Sequence, residues 1–230
     1  MNPDLFGKAI NDWYKGSGKQ MLTETTWTEA EELPLSYLFR SFQEMPEIER
    51  RALELCKGKT LDVGAGAGSH SLYLQEKGID VTAIDQSAAA IETCMARGVR
   101  QTVLVDIFEF TGKFDTILLL MNGTGLAGTL NRLPGLLSHL KSLLAPGGQI
   151  LIDSSDLIYL FEDESGAYHI PAEGYYGEVD FTMHYDGQTH TLPWLYVSFD
   201  LLRQAAAQVG LVARKVRDGE HYDYLARLTP

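Results

Sequence analysis

The chain has 230 residues and a formal net charge of −12, from 31 acidic against 19 basic side chains. This excess of carboxylates repels phosphate backbones and anionic lipids, so we expect neither nucleic acid nor a membrane as a partner. Two cysteines without framework spacing, no basic and apolar leader pattern and no apolar stretch of membrane-spanning length predict a cytoplasmic protein.

An aromatic N-terminal segment precedes the first predicted strand of the core. Residues 1–57 include Trp13, Tyr14, Trp27 and Tyr37, and prolines interrupt them. We predict that this segment forms helices that cap the core, which begins at residue 58. At this length a single compact domain is expected overall.

A glycine-rich turn follows the first strand of that core. A short apolar run contains Asp62 and leads into Gly64, Gly66 and Gly68. Glycine allows positive φ and has no side chain to keep a ligand from the backbone. The residues that follow have helical spacing and stop at a glycine, so the turn joins a strand to a helix whose N-terminus faces a ligand.

This turn resembles the first motif of class I S-adenosylmethionine-dependent methyltransferases, an acid followed by x-G-x-G-x-G. It fits the dinucleotide fingerprint G-x-G-x-x-G less well, because Ser69 stands in place of the third glycine. The resemblance implies that the acid lies near the methionine amino group and that the glycines face the methionyl and ribose part of the cofactor. The cofactor-binding residues of this turn are then Asp62, Gly64, Ala65, Gly66 and Gly68. The alternative is a tightly packed turn without a ligand.

A second predicted strand, residues 79–85, ends in a carboxylate. Asp85 follows Gly64 by 21 residues, and an acid about 20 residues on can accept hydrogen bonds from both hydroxyls of a ribose. We therefore assign Asp85 to the ribose, with Gln86 beside it. Ser87 suits the N-cap of the next helix, which argues against that role for Asp85.

A third predicted strand, residues 101–106, also ends in an acid, Asp106, which Ile107 and Phe108 follow. The resemblance places such an acid near the adenine amino group and an apolar neighbour against the ring. The three residues are therefore candidates for an adenine pocket. A turn aspartate buried among core aliphatic residues is the alternative.

The fourth predicted strand, residues 114–121, is a nearly continuous apolar run, which is typical of a strand buried on both faces. Ligands of open parallel sheets bind outside the carboxyl ends of the strands. Met121 and Asn122 are therefore expected to border the reacting methyl group. Methyltransferases that act on nucleic-acid amino groups have an Asn/Asp-Pro-Pro-aromatic tetrad here, and this chain does not, which argues against a base as acceptor.

The remaining pattern completes an α/β fold. We predict a helix over 130–144, a strand over 149–153, a helix over 198–210 and two strands joined by Asp218 and Gly219. The expected architecture is a doubly wound, seven-stranded Rossmann-like sheet with helices on both faces. Residues 58–230 form this cofactor-binding domain, and the resemblance covers 58–153 and 198–230.

Residues 154–197 form an aromatic insertion on the substrate side of that domain. An alternating run that ends at Tyr185, followed by Asp186 and Gly187, predicts a β-hairpin. We expect this hairpin to form a lid beside the cofactor. Its rings either line a pocket for a small substrate or belong to ordinary core.

The sequence thus predicts a methyltransferase that uses S-adenosylmethionine and acts on a small-molecule acceptor, as a monomer or homodimer. Asn122, His169 and Tyr14 are candidates for a catalytic role that the sequence does not assign. His169, His184 and His221 are candidate proton acceptors, and His70 either approaches the substrate or bonds a backbone carbonyl at the start of its helix. No metal is expected, because the histidines lack metal-ligand spacing. A nicotinamide-dependent oxidoreductase and a non-catalytic cofactor-binding protein are the alternatives, and a basic peptide stays open as acceptor.

Overall fold

The computed structural model describes residues 4–230, and its secondary structure divides between helices and two sheets. The strands in chain order are β1 Met21–Thr25, β2 Thr28–Glu32, β3 Thr60–Val63, β4 Val81–Asp85, β5 Thr102–Leu104, β6 Phe114–Leu119, β7 Leu144–Ser155, β8 Glu178–Tyr185, β9 Gln188–Leu195, β10 Val212–Asp218 and β11 Asp223–Thr229. The α-helices are α1 Leu5–Tyr14, α2 Glu47–Leu55, α3 Ser69–Glu76, α4 Ala88–Arg97, α5 Leu133–Ser142 and α6 Phe199–Gln208.

The larger sheet has seven strands in the order β10-β11-β7-β6-β3-β4-β5. The strands from β7 to β5 pair in parallel, whereas β11 pairs antiparallel with β7 and β10 pairs antiparallel with β11. The predicted doubly wound sheet and its closing hairpin are therefore confirmed.

Helices cover both faces of this sheet, which explains why the sequence of the central strand β6 is mostly apolar. Ile117 packs in the cluster that contains Leu136 of α5, whereas Leu118 packs in the cluster that contains Ile48 of α2. Successive side chains of a strand point to opposite faces. A strand with helices on both sides therefore buries nearly every residue, and in β6 only Asp115 is partly exposed.

The smaller sheet is antiparallel, in the order β2-β1-β8-β9. Asp186 and Gly187 join β8 to β9 with φ angles of 53° and 75°. Positive φ at both positions is typical of a two-residue hairpin turn. The predicted hairpin in the insertion is therefore present.

The N-terminal segment is helical only in part, which differs from the expectation for residues 1–57. Residues 21–32 form β1 and β2, and β1 pairs with β8 from Met21 opposite Tyr185 to Thr25 opposite Phe181. The partner strand is about 160 residues away in the chain, so no local pattern indicates the pairing. The insertion and the N-terminal segment thus build one sheet together.

Helix α1 connects the two sheets. Ile10 and Ala9 pack with Met21, Met183 and Tyr185 of the smaller sheet, and all five are buried. The helices of residues 4–230 include none that is long and apolar enough to cross a membrane.

Candidate cofactor and acceptor site

The glycine turn between β3 and α3 has positive φ at all three glycines, 71° at Gly64, 54° at Gly66 and 80° at Gly68. A Cβ atom at Gly64 would meet no atom of the described residues within 4 Å. A Cβ atom at Gly68 would lie 3.0 Å from Cys94 and from Val99. The first glycine therefore opens on free space where a ligand can lie, and the third lets the turn pack closely on α4.

Asp85 is hydrogen bonded to this turn. Its Oδ2 accepts the N–H of Gly66 at 2.9 Å and its Oδ1 accepts the N–H of Ser87 at 2.8 Å. Burial raises the pKa of Asp85 above its ordinary value, although both hydrogen bonds act in the opposite direction. Ser87 caps α4 by accepting the N–H of Ala90, as predicted. Gln86, between them, is exposed.

Asp62 lies beneath the turn. Its side chain is 2 % exposed, and its Oδ2 accepts the hydroxyl of Ser71 at 2.6 Å. Burial raises the pKa of this carboxyl, and the charge of His70 and the Ser71 hydrogen bond oppose the rise. Ala65 is buried as well. The structure thus shows Asp62 tying β3 to α3, and its contact with a methionine amino group stays a prediction.

A buried ionic cluster lies beside the start of α3, and sequence reasoning missed it. The guanidinium of Arg40 pairs with the carboxylate of Glu49, whose Oε2 lies 2.8 Å from Nε2 of His70. The segment that contains Arg40 is also bound to the start of α3, because the hydroxyl of Ser69 donates to the carbonyl of Leu38 at 2.7 Å. One sequence feature marks the cluster, a glutamate on the apolar face of α2.

Each charged group of this cluster stabilises the charged form of its neighbour. Burial alone would raise the pKa of Glu49, but His70 and Arg40 hold it below its ordinary value. Burial alone would lower the pKa of His70, but Glu49 and Asp62 hold it above its ordinary value. Arg40 is 7 % exposed, and its Nε has no hydrogen-bond partner among residues 4–230. A buried guanidinium with an unpartnered N–H, in the cluster beside the start of α3, is a candidate for binding a carboxylate group of a ligand.

The adenine-pocket candidates lie next to the strand that ends in Asp85. Asp85 pairs with Leu104 of β5, two residues before Asp106. The carboxylate of Asp106 is exposed and accepts the N–H of Phe108 at 2.9 Å. Ile107 is buried, and the ring of Phe108 is 39 % exposed. An acid and two apolar side chains therefore stand at the same edge of the sheet as Asp85.

The turn after β6 has an unusual backbone that a buried carboxylate holds. Met121 and Asn122 have φ angles of 64° and 63°. Residues other than glycine adopt such positive angles only at an energetic cost. Asp153, at the end of β7, accepts the N–H of Met121 at 3.0 Å and that of Gly123 at 2.9 Å. Burial raises the pKa of Asp153 to about 7. The sequence predicts Asp153 as the last residue of a strand, but not this role.

The side chain of Asn122 joins the two sheets. Its Nδ2 donates to the carbonyl of Leu195 at 3.1 Å, and its Oδ1 accepts the hydroxyls of Ser154 at 2.9 Å and Thr124 at 3.2 Å. Most of its hydrogen-bonding capacity is therefore committed to structure.

The polar atoms of the other two catalytic candidates are also bonded. The hydroxyl of Tyr14 donates to the carbonyl of Ala96 at the end of α4, at 3.0 Å. His169 has a 74 % exposed ring whose Nε2 lies 2.7 Å from Oδ2 of Asp163. Their catalytic roles stay predictions.

A cavity of about 260 Å³ lies between the end of β7 and the smaller sheet. Its lining includes Ser155, two residues beyond Asp153, and the rings of Tyr159, Phe181 and Tyr196. The smaller sheet is anchored here, because Trp194 of β9 fills the space where Gly125 lacks a side chain. The cavity therefore adjoins the carboxyl end of β7.

Within the part of the chain that the structure describes, no three His, Cys, Asp or Glu side chains are placed to hold a metal ion. The expectation of a metal-free site stays a prediction.

Comparison with known proteins identifies a family. Residues 35–216 match a family model described as a methyltransferase domain. No curated protein matches the chain.

Solved structures are similar over most of the chain. An S-adenosylmethionine-dependent methyltransferase from Bacteroides fragilis, in complex with S-adenosyl-L-homocysteine, is 44% identical with a TM-score of 0.91, covering 98% of this chain and 94% of that chain. The CcbJ methyltransferase from Streptomyces caelestis is 13% identical with a TM-score of 0.64, covering 97% of both chains. CalS10, an amino pentose methyltransferase from Micromonospora echinaspora with S-adenosylmethionine bound, is 16% identical with a TM-score of 0.56, covering 84% of this chain and 93% of that chain. The last two share the fold.

Proposed function

The chain belongs to the S-adenosylmethionine-dependent methyltransferases, and we propose that it transfers the methyl group to a small molecule. The observation that supports a small acceptor is the cavity at the end of β7. Its volume of about 260 Å³ lies just below the range of about 300–1,000 Å³ that is typical of ligand pockets, so it has room only for a small group. The smaller sheet forms one wall and thereby restricts what reaches the methyl group.

The residues at the glycine turn fit the cofactor. The open space at Gly64 leaves room for it beside the backbone, and we assign Asp85 to the ribose hydroxyls. We assign the spare Nε of Arg40 to the cofactor carboxylate, because a buried guanidinium binds such a group strongly. Asp106 and Ile107 are assigned to the adenine. When bound, the cofactor supplies a methyl group already activated by the adjacent sulfonium.

In this proposal the protein accelerates the reaction mainly by positioning the acceptor relative to the methyl group. Because the sulfonium is a good leaving group, the protein has to hold the acceptor atom in line with the methyl group and away from water. Asp153 fixes the turn that contains Met121, and Asn122 fixes the same turn against β9. Both residues therefore act by positioning, and a proton acceptor is required only for an acceptor atom that must lose a proton.

The test is methylation of defined acceptors. The protein is incubated with S-adenosylmethionine and sets of small amines, alcohols, carboxylic acids and thiols, with a basic peptide for comparison. Release of S-adenosylhomocysteine is measured together with the mass of the acceptor. A small molecule that gains one methyl group supports the proposal, and methylation of the peptide alone contradicts it.

For location and assembly we propose what the sequence predicts. We propose a cytoplasmic protein that is a monomer or homodimer. Cys56 and Cys94 are both buried and free, which suits a reducing compartment. Analytical ultracentrifugation measures the oligomeric state, and a larger assembly would contradict this part of the proposal.

A further inference from the structure

The cavity at the end of β7 has an acidic wall. The lining residues with charged side chains are Glu24, Glu29 and Glu31, and the described lining contains no lysine, arginine or histidine. Nε2 of His184 lies 3.1 Å from the carboxylate of Glu24. Neither Glu29 nor Glu31 has a salt bridge or side-chain hydrogen bond within residues 4–230. Two carboxylates at this cavity are therefore free for a ligand.

Strand pairing fixes the direction of Glu31. In β1, Thr23 lies opposite Glu31 on one side and opposite Met183 on the other. Residues that are directly opposite in a sheet have side chains on the same face. Met183 is buried against α1, so this face is the one that looks toward the larger sheet. Glu31 thus points to the cavity side of the sheet, although β2 is an exposed edge strand.

Aromatic rings form other walls of the cavity. Tyr159 has a 39 % exposed ring, and Phe181 lies on the same sheet face as Thr25, its partner in β1. Burial and the nearby Tyr159 and Asp153 raise the pKa of Tyr196 to about 12, so its phenol is neutral at physiological pH. The faces of aromatic rings attract cations, and this attraction is stronger where water is excluded.

We infer that this cavity binds an acceptor that has a positively charged amino group, with Glu31 as its counter-ion and the rings of Tyr159 and Phe181 around it. The inference rests on the proposed function, because it names the class of the small acceptor. It concerns the charge that the cavity selects, whichever atom of the acceptor receives the methyl group.

The experiment compares two ligands of the same shape and different charge. Cyclohexylammonium and cyclohexanol are titrated by calorimetry into protein saturated with S-adenosylhomocysteine. We expect the cation to bind about two- to fivefold more tightly than the alcohol, as a single exposed ion pair provides.

Two variants on one strand locate the effect. Glu31→Gln removes the charge at nearly constant shape and is expected to abolish the preference for the cation. Glu32→Gln is the matched control, because Glu32 lies on the opposite face and accepts a hydrogen bond from Gln20 instead; its preference is expected to equal that of the wild type. Glu31→Lys is expected to bind cyclohexanecarboxylate in place of the amine.

Three results would overturn the inference. They are equal binding of cation and alcohol, no binding of the cation to the saturated protein, and an unchanged preference in Glu31→Gln. Failure of the proposed function is distinguishable, because a wild-type protein that does not bind S-adenosylhomocysteine would show it before any amine is added.

Discussion

The backbone N–H of Gly66 donates a 2.9 Å hydrogen bond to Oδ2 of Asp85, which joins the glycine turn after β3 to the end of β4. The other oxygen of Asp85 accepts the N–H of Ser87, at the start of α4. One carboxylate thus orders both loops that border the space left by Gly64. Cofactor binding and local order at this edge of the sheet are expected to depend on the same side chain.

Replacement of Asp85 is expected to weaken cofactor binding strongly. Asp85→Ala removes hydrogen bonds from a charged acceptor, at about 1.5–3 kcal/mol each, so affinity for S-adenosylmethionine should fall roughly ten- to a hundredfold or more. Calorimetry measures the affinity. The control is Asp80→Ala, just before the start of β4 at its other end, where the carboxylate is exposed. Equal affinities in both variants would refute the assignment of Asp85.

Alanine substitutions at two glycines of the same turn are expected to have different effects, one mainly on stability and the other mainly on cofactor binding. Both have positive φ, so alanine costs about 1–2 kcal/mol of strain at either position. Gly68→Ala also forces a contact of 3.0 Å with Cys94, which adds about 1–3 kcal/mol of destabilisation. Gly64→Ala projects its methyl group into the open space and should mainly weaken cofactor binding. Urea unfolding and calorimetry of both variants test this difference, and the opposite pattern would contradict it.

Variants of Arg40 and Glu49 distinguish the contribution of this pair to stability from its contribution to cofactor binding. Glu49→Leu alone leaves a buried guanidinium without its partner and is expected to cost about 3–5 kcal/mol of the free energy of unfolding. Arg40→Met combined with Glu49→Leu should recover most of that loss, because the guanidinium is removed with its partner and the imidazole of His70, which also loses Glu49, can release its proton. The double variant should nevertheless bind S-adenosylmethionine more weakly. A double variant with wild-type affinity would exclude Arg40 from the cofactor site.

Asp153 is expected to give the stability a definite pH dependence. Its pKa is about 7 in the folded protein and 3.8 ordinarily, mainly because the group is buried, while Glu49 raises it and His70 lowers it. Between these values the folded protein holds a proton that the unfolded chain has released. The contribution of this group to stability therefore falls as the pH rises from about 4 to about 7.

Asp153→Asn removes that dependence. The free energy of unfolding of the wild type, minus that of the variant, should decrease through this pH range. Urea unfolding at several pH values measures the difference, and Asp200→Asn at an exposed position of α6 is the control. A difference that is constant, or that grows with pH, would contradict the account.

The glycine turn and the strand that ends in Asp85 were predictable because their features are local in sequence. The spacing of Gly64, Gly66 and Gly68 is a property of one turn, and the distance to Asp85 follows from one helix and one strand. The apolar run of β6 predicts a central strand for the same reason. Each of these patterns involves residues that lie within about 20 positions of one another in the sequence.

The buried ionic cluster and the cavity depend on contacts that no local pattern indicates. Thr23 and Met183 are opposite each other in one sheet but lie about 160 residues apart in the chain. Arg40 and His70 meet only because Glu49 lies between them in the folded protein. Aromatic residues indicated that the insertion matters, but not which of its rings face the cavity.

The most direct test of the account is calorimetric titration of the wild-type protein with S-adenosylmethionine, S-adenosylhomocysteine and NAD. The account predicts that the first two bind, one molecule per chain, and that Asp85→Ala loses this binding while NAD does not bind the wild type. Binding of NAD alone, or no binding of either sulfur compound, would contradict it.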